Sequence, residues 1–162
     1  MTPPRPDPRW ESFASVGDFA DLQDIALEWV EYLPDDLSPR GPAALLRTAR
    51  SLFVHSWFDY EFMVVACLLG FQALEAAFHE LYPESKATTP FLVLARRAKR
   101  EGVLPAIIAD LAGTAIELRN WLSHPATAIA LTPGMAAPVL ENTHRLVGLV
   151  LTAAAARGTA ST

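Results

Sequence analysis

Apolar residues recur at intervals of three and four along most of the chain, which is the spacing of an amphipathic α-helix. The first such segment runs from Phe19 to Leu33, with Asp18 before it as a potential N-cap and Pro34 after it as a terminator. No window alternates between apolar and polar residues over the length of a typical strand. The pattern therefore predicts an all-α protein, an up-and-down bundle of about five helices.

The middle of the chain carries the same helical spacing. Residues 42–82 predict either one long helix or two helices with a bend near Ser56, because this apolar run contains no Gly-Pro turn. Residues 90–101 predict a further, basic helix that follows a cap at Thr89. Gly102 comes directly after this helix and suits a left-handed C-cap.

The sequence ELRNWLSHPA lies at the end of the first of the last two predicted helices. The first covers residues 105–124 and ends at His124, because a residue before proline is pushed out of the helical region. The second covers about residues 136–156. The stripe of the first helix that we expect to face the core consists of Ile107, Ile108, Leu111, Ala115, Leu118 and Leu122.

Length and composition predict one domain that associates with a partner. A chain of 162 residues can bury a single core, which we place at residues 13–157, between a disordered Pro-rich arm at 1–12 and a tail at 158–162. Hydrophobic residues make up 51% of the chain, more than a small monomer needs. We therefore expect a homodimer.

Charge and cysteine content limit the possible partners. The formal net charge of −5 argues against a broad nucleic-acid footprint, so any contact with RNA must be local. Cys67 is the single cysteine, so no internal disulfide forms and a reducing compartment is expected. The chain start does not resemble a secretory signal, and the longest apolar stretches are shorter than the roughly 20 residues of a membrane span. These features predict a soluble, cytoplasmic protein with no membrane contact.

Three polar residues close the helix at 105–124. Asn120 and His124 are four positions apart, so they lie on one face, and the long side chain of Arg119 can reach toward the imidazole. The helix end also favours a protonated His124 through the helix dipole. We expect the outward face to be a second, partly apolar contact surface made of Asp110, Gly113, Ile116, Glu117, Asn120, Ser123 and His124.

The string Arg119-Asn120-Trp121-Leu122-Ser123-His124 resembles the R-N-x-x-x-H motif of HEPN domains, which are small all-helical modules. The order of helices over roughly residues 42–156 is similar as well. The resemblance implies a metal-independent endoribonuclease, often a toxin or defence effector, in which two protomers join their motifs across a dimer interface. His124 would transfer protons, Arg119 would bind the phosphate, and Asn120 would orient either of them. One branch of the family is silenced at a Tyr two residues after the His, where this chain has Ala126.

Simpler interpretations stand beside this one. Arg119 and His124 can merely complement the helix dipole, or serve a non-catalytic module that binds RNA, a nucleotide or a partner protein such as an antitoxin. Glu75 either pairs with Arg119 or marks the solvated side of its helix. The cations that either guide RNA or only face solvent are Arg96, Arg97, Lys99 and Arg100.

The remaining histidines predict no further site. His55, His79 and His144 fall on different predicted helices without nearby Cys or carboxylate ligands, so each is expected at a boundary or on the surface. There is also no glycine-rich phosphate loop and no nucleophile elbow. We therefore expect neither a metal nor a cofactor.

Overall fold

The computed structural model describes residues 5–13, 17–35, 41–123 and 131–160, which form an all-α bundle without a strand in these ranges. The predicted all-helical fold is therefore confirmed. The described helices are 3-10 helices at Pro8–Phe13 and Trp29–Tyr32, α1 at Phe19–Glu28, α2 at Pro42–His55, α3 at Phe62–Leu81, α4 at Phe91–Arg100, α5 at Ala106–Ser123 and α6 at Pro133–Ala160.

The predicted cap of the first helix is present. The side chain of Asp18 accepts hydrogen bonds from the backbone N–H groups of Ala20 and Asp21, and the Asp21 carboxylate accepts one from the backbone of Asp18. This reciprocal capping box satisfies N–H groups that a helix start leaves without partners. The α-helix is followed directly by the 3-10 helix Trp29–Tyr32, so the predicted segment Phe19–Leu33 contains two types of helix.

The long apolar segment at residues 42–82 folds as two helices, α2 and α3. The break between them begins at Ser56, which agrees with the second of the two predicted alternatives. Ser56 is fully buried, and its hydroxyl donates to the carbonyl of Phe53 across 2.6 Å. α2 and α6 both pack against α3. The central position of α3 explains why ten of its residues are buried.

α3 has the length and apolar composition of a membrane span, although half of its most apolar window is buried inside the bundle. Core helices of soluble proteins share this property. Burial also raises the pKa of the Cys67 thiol to about 12, so this residue packs as a small apolar side chain.

The described part of the predicted disordered arm at residues 1–12, which starts at residue 5, is folded against the bundle. Pro8–Phe13 forms a 3-10 helix, and Trp10 is only 2% exposed. The indole N–H of Trp10 donates to the carbonyl of Ser56 across 2.6 Å, so the segment is held at the junction of α2 and α3. Asp7 adds two further contacts, because its backbone N–H donates to the carbonyl of Trp57 and its carboxylate accepts from the backbone N–H of Tyr60. A buried aromatic residue and a few hydrogen bonds therefore hold a stretch whose prolines prevent a long regular helix.

The last helix is longer than predicted and lies very close to the 3-10 helix Trp29–Tyr32. A Cβ atom on Gly148 would overlap the carbonyl oxygen of Tyr32, so only glycine allows this approach. Arg145 donates to both the Tyr32 hydroxyl and the Glu141 carboxylate, at 2.6 and 2.7 Å. α6 continues to Ala160, through the beginning of the segment predicted as a tail.

Candidate functional site

The helix α5 carries the predicted site residues toward its C-terminal end. It begins after Pro105, and Gly102 before it adopts the predicted left-handed conformation, with a φ of 67°. In the last turn, the Ser123 hydroxyl donates to the carbonyl of Arg119 across 2.8 Å. His124, the predicted proton carrier, lies outside the described residues.

Arg119 points from α5 toward α3 and α4. Its Nη1 lies 3.2 Å from Oε2 of Glu75 on α3, and its guanidinium carbon lies 5.9 Å from the ring centre of Phe91 on α4. The side chains of Arg119 and Glu75 are 34% and 36% exposed. Of the two interpretations of Glu75, the structure therefore shows the ion pair, at a half-buried position that solvent still reaches.

Asn120 is exposed, unlike its neighbour Arg119, which turns toward α3. In the described part of the chain, no hydrogen bond joins the two side chains. A rotation of about 100° between successive helical residues accounts for this divergence. The structure thus brings Glu75 to Arg119 and leaves Asn120 facing solvent at the same end of the helix.

The basic residues of α4 differ in their surroundings. Arg97 forms ion pairs with Glu84 and Glu101 at 2.6 and 2.7 Å, and its guanidinium stacks on the ring of Tyr82. Hydrogen bonds from Arg97 and Arg157 hold the pKa of Glu101 at about 2. Arg97 therefore belongs to an intramolecular cluster, whereas Arg96, Lys99 and Arg100 are exposed.

The core-facing stripe predicted for α5 is buried only in part, as far as the structure describes it; the side chain of Ile108 lies outside the described residues. Ala115 is buried, and Leu118 and Leu122 pack against the core. At the other end of the helix, Ile107 is 65% exposed and Leu111 is 42% exposed. α5 packs on α3 and α4, and the exposed side chains of Ile107 and Leu111 lie in its first two turns.

An apolar groove of about 200 Å³ separates α5 from α6. Its lining residues are Phe71, Leu111, Thr114, Ala115, Leu118, Pro138, Val139, Asn142, Thr143 and Leu146. Ile116, which we expected on the outward face, instead packs against the core. Gly113 does remain open, since a Cβ atom there would meet nothing within 4 Å.

One histidine was placed wrongly from the sequence. His144 is fully buried, whereas we expected a boundary or surface position. Leu140, Val147 and Leu151 are buried on the same helix, and His144 falls into their three-and-four spacing. That spacing was visible in the sequence and is the signal that would have found it.

The partner of His144 was not predictable from spacing. Its Nε2 lies 3.1 Å from Nη1 of Arg50 on α2, and its Nδ1 lies 2.7 Å from the carbonyl oxygen of Leu140. Because a guanidinium only donates and a carbonyl only accepts, Nδ1 carries the proton and Nε2 accepts. The ring is therefore neutral, and burial accordingly lowers its pKa to about 4.

No set of three or more His, Cys, Asp or Glu side chains within the described ranges is arranged to hold a metal ion. No family model, curated protein or solved structure matches the chain. The helical fold and the contacts around Arg119 are thus the observations on which a function can be based.

Proposed function

We propose that this protein is a metal-independent endoribonuclease of HEPN type that acts as a homodimer. The observation that carries the proposal is the anchored guanidinium of Arg119, one third exposed in the last turns of α5. Exposed Asn120 follows it directly, and in the sequence His124 comes directly after Ser123, the last described residue of α5. This order of residues in the sequence is that of the R-N-x-x-x-H motif, which supports the proposal.

The chemistry needs a cation for the phosphate and a group that transfers protons. The ion pair with Glu75 uses Nη1 of Arg119, and a guanidinium has five N–H donors in all. The remaining donors can bind a phosphate while negative charge builds on it. His124 would take the proton from the ribose 2′-hydroxyl or give one to the leaving oxygen, as an imidazole can near neutral pH.

The homodimer rests on the uncovered apolar surface of α5. Ile107 and Leu111 are large, exposed and close to the apolar groove between α5 and α6. Gly113 would let a second helix approach without a clash. In a symmetric dimer, both protomers use the same surface. A two-fold axis beside these residues would therefore bring the R-N-x-x-x-H motifs of the two protomers together.

The path of the RNA would follow the exposed basic residues of α4. Arg96, Lys99 and Arg100 supply exposed positive charge on a protein with a formal net charge of −5. Such a local contact fits a cytoplasmic toxin or defence effector that is controlled by an antitoxin.

The ion pair between Arg119 and Glu75 also favours a second candidate, a non-catalytic module that binds RNA, a nucleotide or a partner protein. The carboxylate offsets part of the guanidinium charge, which weakens its attraction for a phosphate in the transition state. A module that only binds tolerates this loss better than an enzyme does.

RNA cleavage in the presence of EDTA separates the two candidates. The wild type should cut RNA, and His124→Ala should abolish cutting. Arg119→Lys should remove most of the activity, because a point charge cannot replace the planar fork. The matched controls are Arg145→Lys and His55→Ala, which change the same residue types on α6 and α2.

The enzyme proposal fails if no cleavage depends on His124. RNA binding without cleavage would instead support the binding module. A pH profile adds a second criterion, since a proton-transferring imidazole should produce a titration limb between about pH 5 and 8.

A further inference from the structure

A second pocket, separate from α5, lies between α1 and α2. Its volume is about 220 Å³, and all of its lining residues come from these two helices. Phe19 and Leu27 form an apolar wall, while Gln23, Arg50, Ser51 and His55 contribute polar groups. It therefore combines an apolar surface with a guanidinium.

The side chain of Arg50 is oriented by a neutral partner. Its Nη1 donates to Nε2 of buried His144, whose Nδ1–H is in turn bonded to the carbonyl of Leu140. The His144 ring also lies 5.4 Å from the ring of Trp29, which restricts its rotation. This chain of contacts holds the guanidinium but adds no negative charge to balance it.

The charge of Arg50 is not compensated by any carboxylate at ion-pairing distance within residues 5–13, 17–35, 41–123 and 131–160. Five other arginines in these ranges have such a partner, namely Arg9, Arg97, Arg119, Arg145 and Arg157. Arg5, Arg47, Arg96 and Arg100 are exposed to solvent, whereas Arg50 is half-buried. Burial lowers the pKa of Arg50, and the positive charge of Arg47 lowers it further.

A half-buried cation without an anion is costly, because the protein replaces part of its water shell without supplying a counter-charge. Natural proteins usually pair such a group. An anion bound from solution would supply the missing charge, and the planar guanidinium suits an oxyanion particularly well.

We propose that the pocket between α1 and α2 binds a small molecule with an oxyanion, either a carboxylate or a phosphate, attached to an apolar body. Arg50 binds the oxyanion, and His144 acts as a positioning residue behind it. The apolar body packs on Phe19 and Leu27, of which Leu27 is 59% exposed. The proposal is independent of the ribonuclease function.

The polar residues that line the pocket, Gln23, Ser51 and His55, suit the same ligand. Nδ1 of His55 lies 2.7 Å from the carbonyl of Ser51, so this nitrogen carries a proton and fixes the ring on the helix. The ring packs edge-on against Phe19, with 5.9 Å between their centres. The volume is below the roughly 300–1,000 Å³ of pockets for drug-sized ligands, so the ligand is about the size of a single substituted ring.

Calorimetric titration with four probes tests the proposal at low ionic strength. Phenyl phosphate and benzoate carry both features, whereas inorganic phosphate lacks the apolar body and phenol lacks the oxyanion. We expect phenyl phosphate or benzoate to bind with a Kd of about 1 mM or tighter. The two incomplete probes should bind at least tenfold more weakly, and the better of the first two identifies the preferred oxyanion.

Variants locate the binding site. Arg50→Gln should weaken binding of the preferred probe at least tenfold. Because Arg50 is half-buried, Leu27→Glu serves as a second variant at an exposed position, where a carboxylate would repel the anion and should weaken binding to a similar extent. Val30→Glu is the matched control, since Val30 is also exposed but does not line the pocket.

His124→Ala should bind the probe as the wild type does, which keeps this test apart from that of the ribonuclease. The proposal is overturned if neither phenyl phosphate nor benzoate binds saturably. It is also overturned if inorganic phosphate or phenol binds as tightly as they do, or if Leu27→Glu and Val30→Glu behave alike.

Discussion

Nη1 of Arg119 lies 3.2 Å from Oε2 of Glu75, and this ion pair joins the end of α5 to the middle of α3. The two residues are separated by 44 positions in the chain. Since both are about one third exposed, solvent screens the attraction and its effect on stability is small. Its more important consequence is the direction that it imposes on the guanidinium.

Replacing Glu75 should affect cleavage more than folding. Glu75→Ala should lower the rate of RNA cleavage by about tenfold, because the Arg119 guanidinium loses the acceptor that orients it, an effect of about 1.4 kcal/mol. Glu75→Gln keeps an acceptor oxygen and should restore most of the rate. Urea unfolding should change by less than about 1 kcal/mol for both variants.

The control for this prediction is Glu141→Ala, which breaks a similar surface ion pair with Arg145 on α6. It should leave the cleavage rate unchanged. Equal rates for Glu75→Ala and Glu141→Ala would show that Glu75 does not position Arg119.

Charges placed on the apolar surface of α5 should separate the proposed dimer. The double variant Ile107→Asp with Leu111→Asp should reduce the mass measured by light scattering from about twice 17.6 kDa to the monomer value of 17.6 kDa. Both side chains are exposed in the single chain, so the monomer should remain folded. Cleavage should fall together with the mass.

Val93→Asp provides the comparison, because Val93 is similarly exposed but lies on α4. This variant should remain dimeric. A wild-type mass of 17.6 kDa at micromolar concentration would remove the composite site altogether.

His144 should make the fold less stable in mild acid. Burial lowers its pKa to about 4 from an ordinary value of 6.5, so the unfolded chain binds the proton more tightly than the folded chain. The stabilisation is therefore complete above pH 6.5 and is lost as the pH falls from 6.5 to 4. The expected loss in the free energy of unfolding is on the order of 3 kcal/mol.

Urea unfolding between pH 7 and pH 4.5 measures this loss, with His144→Gln as the comparison. The amide should accept from Arg50 without titrating, so the variant should show a much flatter profile. Glu101 contributes only at lower pH, because its pKa is held at about 2. Identical profiles for wild type and His144→Gln would contradict the assignment.

Gly148 should not tolerate even one added methyl group. A Cβ atom there would overlap the Tyr32 carbonyl oxygen, so Gly148→Ala must push α6 away from the preceding 3-10 helix. We expect a cost of about 2 kcal/mol or more in the free energy of unfolding, typical of overpacking a rigid contact.

Gly158→Ala is the matched control on the same helix, since a Cβ atom at that position meets nothing within 4 Å. It should leave stability unchanged or raise it slightly, because alanine favours a helix over glycine by up to about 1 kcal/mol. A thermal melt of both variants checks the contrast, and equal melting temperatures would refute the close approach.

The sequence by itself determined most of the secondary structure. The cap at Asp18 and the left-handed Gly102 depend on neighbours within a few positions, so they are present as predicted. The break at Ser56 is one of the two alternatives that the sequence left open. Apolar spacing identified the helices for the same reason. The role of His124 stays a prediction, because that residue lies outside the described part of the chain.

Only the tertiary structure decided what each helix face contacts. Which helices become neighbours decides that Trp10 and His144 are buried and that Ile107 and Leu111 are exposed. It also decides that Arg119 contacts Glu75 and that Arg50 contacts His144. Periodicity shows that one face of a helix is apolar or charged. The residues that contact this face are far away in sequence, so periodicity does not identify them. That pairing is set by how the α-helices of the described residues share one core, which no local pattern encodes.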